Sequence, residues 1–289
     1  MQTIAAPIWL AFALLGLSIV ALPLRGAGKS RSAPLRYLWL VFFGGALAAG
    51  LASGVLRPIA LASIGALFLL AHLAARPAKP ALRAIFTVAT LILALALALH
   101  AVPGFNNPLV LKGIQLSPSS APYTLYANFD KGVIGLALLL FICRRSGSWR
   151  DFVATWKQQA PIWIILLIAV LGLAWAMGFV RPDVKLPAIL PLFAAINLLF
   201  VCVAEEAFFR GLIQEPLSRY GKPLAIVVSG LLFGLAHLGG GWQFGLLAAV
   251  AGLGYALLYA RTQRIEIPIA AHFLVNVVHF VAFTYPRAI

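Results

Sequence analysis

Apolar runs of membrane-spanning length recur along almost the whole chain, and few charges interrupt them. A helix that crosses a bilayer needs roughly 20 mostly apolar residues, with about 17–25 tolerated. Such runs fall near 4–24, 37–56, 58–75, 82–103, 131–143, 162–180, 187–206, 224–239, 243–260 and 266–284. The fifth and eighth are short, so eight to ten spanning helices are expected. Only 10% of the residues are charged against 63% hydrophobic, whereas a soluble domain is about 25% charged. Such a chain cannot cover a soluble surface with polar groups. The expected fold class is therefore all-α, a polytopic transmembrane helical bundle. The runs are continuous rather than alternating, which excludes a β-barrel.

The charge balance is +15. In a soluble protein this would point to nucleic acid, but no nucleic-acid-binding motif is present, and basic residues at the ends of membrane helices face anionic lipid. One set of connections carries Arg25, Lys29, Arg31, Arg36, Arg76, Lys79, Arg83, Arg144, Arg145, Arg150, Lys157, Arg210, Arg219, Lys222, Arg261 and Arg264. The alternate set carries Arg57, Lys112, Lys131, Arg181, Lys185 and Arg287. The positive-inside rule puts the first set in the cytoplasm and both termini outside. A multi-pass protein of the inner (cytoplasmic) membrane is expected, with membrane lipids as partners. The N-terminus lacks a positive leader segment, so no cleaved signal peptide is expected. Cys143 and Cys202 sit inside apolar runs and form neither a disulfide framework nor a Cys-rich zinc module. The connection 104–130, rich in Pro, Asn and Ser, reads as a surface loop, with a lid or a re-entrant segment as the alternative.

The two halves differ in one respect: after about residue 160 the helices carry ionisable groups. Of seven acids, only Glu205 and Glu206 fall within or at the edge of a membrane run, where an ionisable residue costs at least a few kcal/mol and marks a functional site. Glu206 and Arg210 are four apart and share a helix face, whereas Glu205 projects about 100° away. Glu206 is thus the neutralised partner and Glu205 is free to act as a base, unless both form one static clamp between helices. His237 ends FGLAH, with Phe233 four before it. His272 opens HFLVN, with Asn276 four after it. His279 is read as a supporting or lipid-side residue, and His72 and His100 as interfacial or packing residues. A carboxylate with a neutral imidazole can hold and deprotonate a water. A second imidazole and an amide NH₂ can donate to a tetrahedral oxyanion.

These residues carry a resemblance. EEAFFR, FGLAH and HFLVN match, in order, the EExxxR, FxxxH and HxxxN motifs of the CAAX protease and bacteriocin-processing (CPBP, or Abi) family of intramembrane glutamic endopeptidases, which includes the Ras-converting CAAX prenyl endopeptidases. The likeness covers roughly residues 187–289. It implies that Glu205 and His237 activate the water and that His272 and Asn276 form the oxyanion hole. Glu206, Arg210 and Phe233 would support the site. It divides the chain into N-terminal helices of unassigned role, 1–160, and a catalytic membrane core, 161–289. The substrate would be a peptide or protein, lipidated or membrane-embedded in some members, with no cofactor. A zinc site built from Glu205, His237 and His272 is disfavoured, because there is no HExxH and Asn276 is a poor zinc ligand. A thiol protease using Cys202, a proton-coupled transporter, and a non-catalytic scaffold or bacteriocin-immunity protein are the other readings. From the closeness of Arg210 to Glu205, the site is expected to open toward the cytoplasm.

Overall fold

The computed structural model describes residues 4–22, 36–76 and 79–289. Within them the chain is a bundle of helices: α1 (Ala6–Val20), α2 (Leu38–Ala52), α3 (Ala60–Ala75), α4 (Pro80–Ala98), α5 (Phe129–Phe141), α6 (Trp149–Gln158), α7 (Ala160–Ala176), α8 (Leu190–Tyr220), α9 (Lys222–Ala236), α10 (Trp242–Thr262) and α11 (Glu266–Ala282). Each of the ten expected runs overlaps one of these helices. By length and composition α4, α8 and α10 can each cross a membrane, and the bent pair α6–α7 is a fourth candidate span. The remaining apolar helices, α1, α2, α3, α9 and α11, are shorter.

Three features depart from expectation. First, α8 does not stop near residue 206 but runs unbroken for 31 residues. The Glu206–Arg210 pair hides both charges inside the helix, so nothing forces the chain out into water. Arg210, fully buried, is therefore no part of a connection. Second, α6 precedes α7 and meets it at a 63° bend. Ser148 caps α6 by accepting from the Asp151 amide. Pro161, lacking an N–H, opens α7. Third, the connection 104–130 holds a β-hairpin, β1 (Leu109–Ile114) antiparallel to β2 (Tyr123–Tyr126). The all-α class holds for the bundle with this one exception. Alternation along β2 buries Tyr123 and Leu125 and exposes Thr124 and Tyr126.

Hydrogen bonds stitch the connections into two opposite ends. At one end, Arg57 N donates to Gly104 O, Ala121 N to Arg287 O, Asp183 N to Ala282 O, and Gln243 Nε2 to Met177 O. This hairpin end thus gathers the turns 53–59, 99–128, 177–189 and 237–241 with the tail 283–289. At the other end, Arg145 pairs with Glu266, Arg264 with Asp151 and Arg144 with Glu215. Among the described connections, the alternation expected from the basic residues is thus present in three dimensions. Arg25, Lys29 and Arg31 lie outside the described residues.

Close helix approaches place the functional part of the bundle. A Cβ on Gly135 of α5 would lie 2.8 Å from Val203 Cγ1 of α8, two residues before Glu205. A Cβ on Gly234 of α9 would lie 2.6 Å from Ala249 Cβ and 2.8 Å from Gly245 O of α10. Small residues let helix backbones meet in this way where lipid offers no hydrophobic driving force. Gly234→Leu should therefore separate α9 from α10 and cost about 1–3 kcal/mol by overpacking. The check is the unfolding midpoint in detergent, compared with Gly172→Leu, where a Cβ meets nothing within 4 Å.

Candidate active site

The site begins inside α8. Its backbone widens to i→i+5 hydrogen bonding over Asn197–Cys202 and again over Ala207–Gln214, on either side of the Glu205–Glu206 turn. Such π-helical turns re-aim side chains and recur at functional sites. Glu206 is fully buried and saturated. Arg210 Nε donates to its Oε2 at 2.8 Å, and His272 Nδ1 lies 3.0 Å from its Oε1. Arg210 Nη1 donates onward to Ser229 Oγ at 2.7 Å, which in turn donates to Phe209 O. The guanidinium also lies 5.6 Å from the Phe233 ring, a cation–π contact that helps to offset its burial. Phe233 stacks on His237 with ring centres 4.5 Å apart and meets His272 edge-on at 5.6 Å. One aromatic ring thus ties the ion pair to both histidines.

Glu205 is held differently. His237 Nδ1 sits 2.7 Å from Phe233 O. A carbonyl only accepts, so Nδ1 carries the proton and Nε2 of the neutral ring is an acceptor. That Nε2 faces Glu205 Oε2 at 3.7 Å, too far for a hydrogen bond and a meeting of two acceptors. Oε2 is buried without a hydrogen-bond partner among the described residues. Lys131 Nζ approaches the other carboxylate oxygen at 4.0 Å. The same argument fixes His272: Glu206 accepts from Nδ1–H, leaving Nε2 for the cavity that the ring lines. Asn276 Nδ2 donates to Asn197 Oδ1 at 3.2 Å and makes a longer contact, 3.8 Å, to Cys202 Sγ.

Glu205 of α8, His237 at the C-terminal cap of α9, and His272 and Asn276 of α11 thus line one cavity of about 240 Å³. An apolar pocket of about 80 Å³ adjoins it against α7 and α10, sharing His237, His272 and Asn276. The cavity walls also include Tyr123 and Leu125 of the hairpin and Tyr285 and Pro286 of the tail. Burial pushes the Tyr123 hydroxyl up to about 12, so it stays a neutral group in the cavity wall. Arg210, expected to flank the site on the cytoplasmic side, is instead fully buried, and the cavity extends from Glu205 toward the hairpin end.

His279 also lines the cavity and sits 3.2 Å from Thr284 O. Among residues set aside as structural, His100 pairs with buried Asp130 at 2.6 Å, and His72 meets the Phe141 ring edge-on. Three further residues take part. Asn197, a lone amide in an apolar run, is the partner of Asn276. Ser229, a lone hydroxyl four residues before Phe233, is the partner of Arg210. Lys131, a flanking charge by sequence, approaches Glu205. Cys202 is fully buried, its Sγ 3.3 Å from Asn197 Oδ1, so it serves the amide cluster and faces no open space. Among the described residues no three His, Cys, Asp or Glu side chains gather closely enough to hold a metal ion.

The same stretch of chain is similar to known proteins. Residues 187–278 match the family model described as type II CAAX prenyl endopeptidase Rce1-like. The matched segment is similar to that family. The relative named "Putative membrane peptidase YdiL", from Bacillus subtilis (strain 168), is 31% identical over 109 residues, which cover 35% of this chain and 44% of that protein. The chain therefore matches less than half the length of that relative. No solved structure matches. The Rce1-like segment spans α8 and most of α11, so it contains all three motifs quoted above.

Removing one member of a buried ion pair strands the other, at a cost of about 3–5 kcal/mol. Arg210→Leu should therefore lower the unfolding midpoint sharply. The double variant Glu206→Gln/Arg210→Leu should lose less than the sum of the single changes. A denaturation series in detergent measures both.

Proposed function

We propose that the protein is a multi-pass peptidase of the inner membrane that hydrolyses a peptide bond with a water activated by Glu205 and His237. The observation that carries the reading is the pair of facing acceptors, Glu205 Oε2 and His237 Nε2, 3.7 Å apart. A water between them donates one O–H to each and turns a lone pair toward the cavity. Glu205 takes one proton as that oxygen attacks the carbonyl carbon. The oxyanion accepts from Asn276 Nδ2, which gives up only its weak contact with sulfur, and from His272 Nε2–H. For that donation His272 must be an imidazolium, because its Nδ1–H is already on Glu206. Glu206 stabilises the cation, so the carboxylate acts through the imidazole. The proton on Glu205 then passes, directly or through His237, to the leaving amine.

The Rce1-like segment and the membrane-peptidase relative support this reaction class. No metal or cofactor takes part in the proposal. A non-catalytic scaffold that keeps the same polar cluster is the competing reading, and it predicts no loss of function in Glu205→Gln.

Purified protein in detergent, offered fluorogenic peptides with and without a prenyl group, should cleave a subset of them. Glu205→Gln should abolish cleavage with the unfolding midpoint unchanged. Asn276→Ala should lower kcat by about 10²–10³, the cost of one oxyanion donor. A chelator should have no effect. Cleavage that survives Glu205→Gln contradicts the mechanism, and loss of cleavage on chelation revives a metal.

A further inference from the structure

Given the hydrolytic reading above, we infer that this site takes its peptide from the non-cytoplasmic face of the membrane. Its substrate class is then an exported polypeptide rather than the C-terminus of a cytoplasmic protein.

The position of the cavity within the bundle comes first. Its walls reach the hairpin and the tail through Tyr123, Leu125, Tyr285 and Pro286. On α8 the lining residues Phe193, Asn197 and Val201 precede Glu205, so the cavity extends from the reactive pair toward the start of the helix. In the opposite direction the bundle is closed. Arg210, Gln214, Ser229, Tyr255 and Tyr259 are all at most 1% exposed. Gln214 Nε2 donates to Ala256 O at 2.8 Å, and Tyr259 OH donates to Glu215, which Arg144 also holds. This layer offers no passage for a peptide.

The orientation of the bundle comes second. With Arg210 removed from the count, twelve Lys and Arg among the described residues still belong to the end opposite the hairpin and six to the hairpin end. The positive-inside rule places the richer end in the cytoplasm. The two observations are independent, one geometric and one electrostatic, and together they turn the mouth outward. The mouth walls are aromatic and aliphatic, so an exported peptide with apolar side chains around the scissile bond fits them.

Full-length protein in spheroplasts tests this with single added cysteines and a charged, membrane-impermeant methanethiosulfonate. Native Cys143 and Cys202 are buried, so wild type is the blank. Lys112→Cys marks the hairpin end, Lys222→Cys the basic end and Val201→Cys the cavity wall, with Leu125→Cys as a second wall position should Val201→Cys fail to fold. The expected result is modification of the hairpin-end and wall cysteines in intact spheroplasts, with Lys222→Cys modified only after lysis. Modification of Lys222→Cys in intact spheroplasts overturns the orientation. A wall cysteine that reacts only from the Lys222 side, or from neither side, overturns the outward mouth. An impermeant fluorogenic peptide that wild type cleaves in detergent should also be cleaved by intact spheroplasts, and cleavage only after lysis contradicts the proposal. Absence of cleavage in any state counts against the hydrolase reading alone, because labelling needs no catalysis.

Discussion

A carboxylate and a guanidinium, both with no exposed surface, meet at 2.8 Å in the middle of a 31-residue apolar helix. Much else in the structure follows from that contact. Two unpaired charges in this place would cost more than the fold could bear. Paired, they let α8 pass through the bundle without a break. They also recruit neighbours: Ser229 from α9 satisfies one guanidinium nitrogen, Phe233 covers its face, and His272 from α11 takes the second carboxylate oxygen. Three helices are thereby fixed around one charge pair. Such a network is strong when its members are satisfied and fragile when one is lost.

Reactivity sits on the adjacent residue for a geometric reason. Glu206 uses both of its oxygens, and the next side chain in the sequence turns about 100° away. Glu205 therefore escapes the network and projects into a cavity whose nearest polar atom, His237 Nε2, is held as an acceptor by the Phe233 carbonyl. Neighbouring carboxylates with opposite environments supply a fixed anchor and a free base. This is the usual way for one fold to give two identical side chains different tasks.

Much of this was legible in the sequence, and the limits have physical causes. The i,i+4 spacing of Glu206 and Arg210 predicts their pairing, and the apolar runs locate ten helices, because both are short-range consequences of helical geometry. The continuation of α8 past Arg210 was not legible, since a charge reads as a helix boundary until its partner is known. The hairpin escaped notice because β1 and β2 are short and lie in a connection rich in Pro and Ser. Asn197 and Ser229 carry no signal beyond being polar in apolar runs, and their importance arises from helices distant in sequence. Arg210 carries the same ambiguity: by sequence it is a flanking charge, and only its partners on other helices make it a buried one.

The central claim is that Glu205 and His237 face one another as acceptors and share a water. An experimental structure in a lipid nanodisc, at a resolution that shows ordered solvent, tests this directly. The account predicts one water within about 3 Å of both Glu205 Oε2 and His237 Nε2. A direct hydrogen bond closing the gap, with Nδ1 no longer on the Phe233 carbonyl, would contradict it, as would a metal ion held between the two groups.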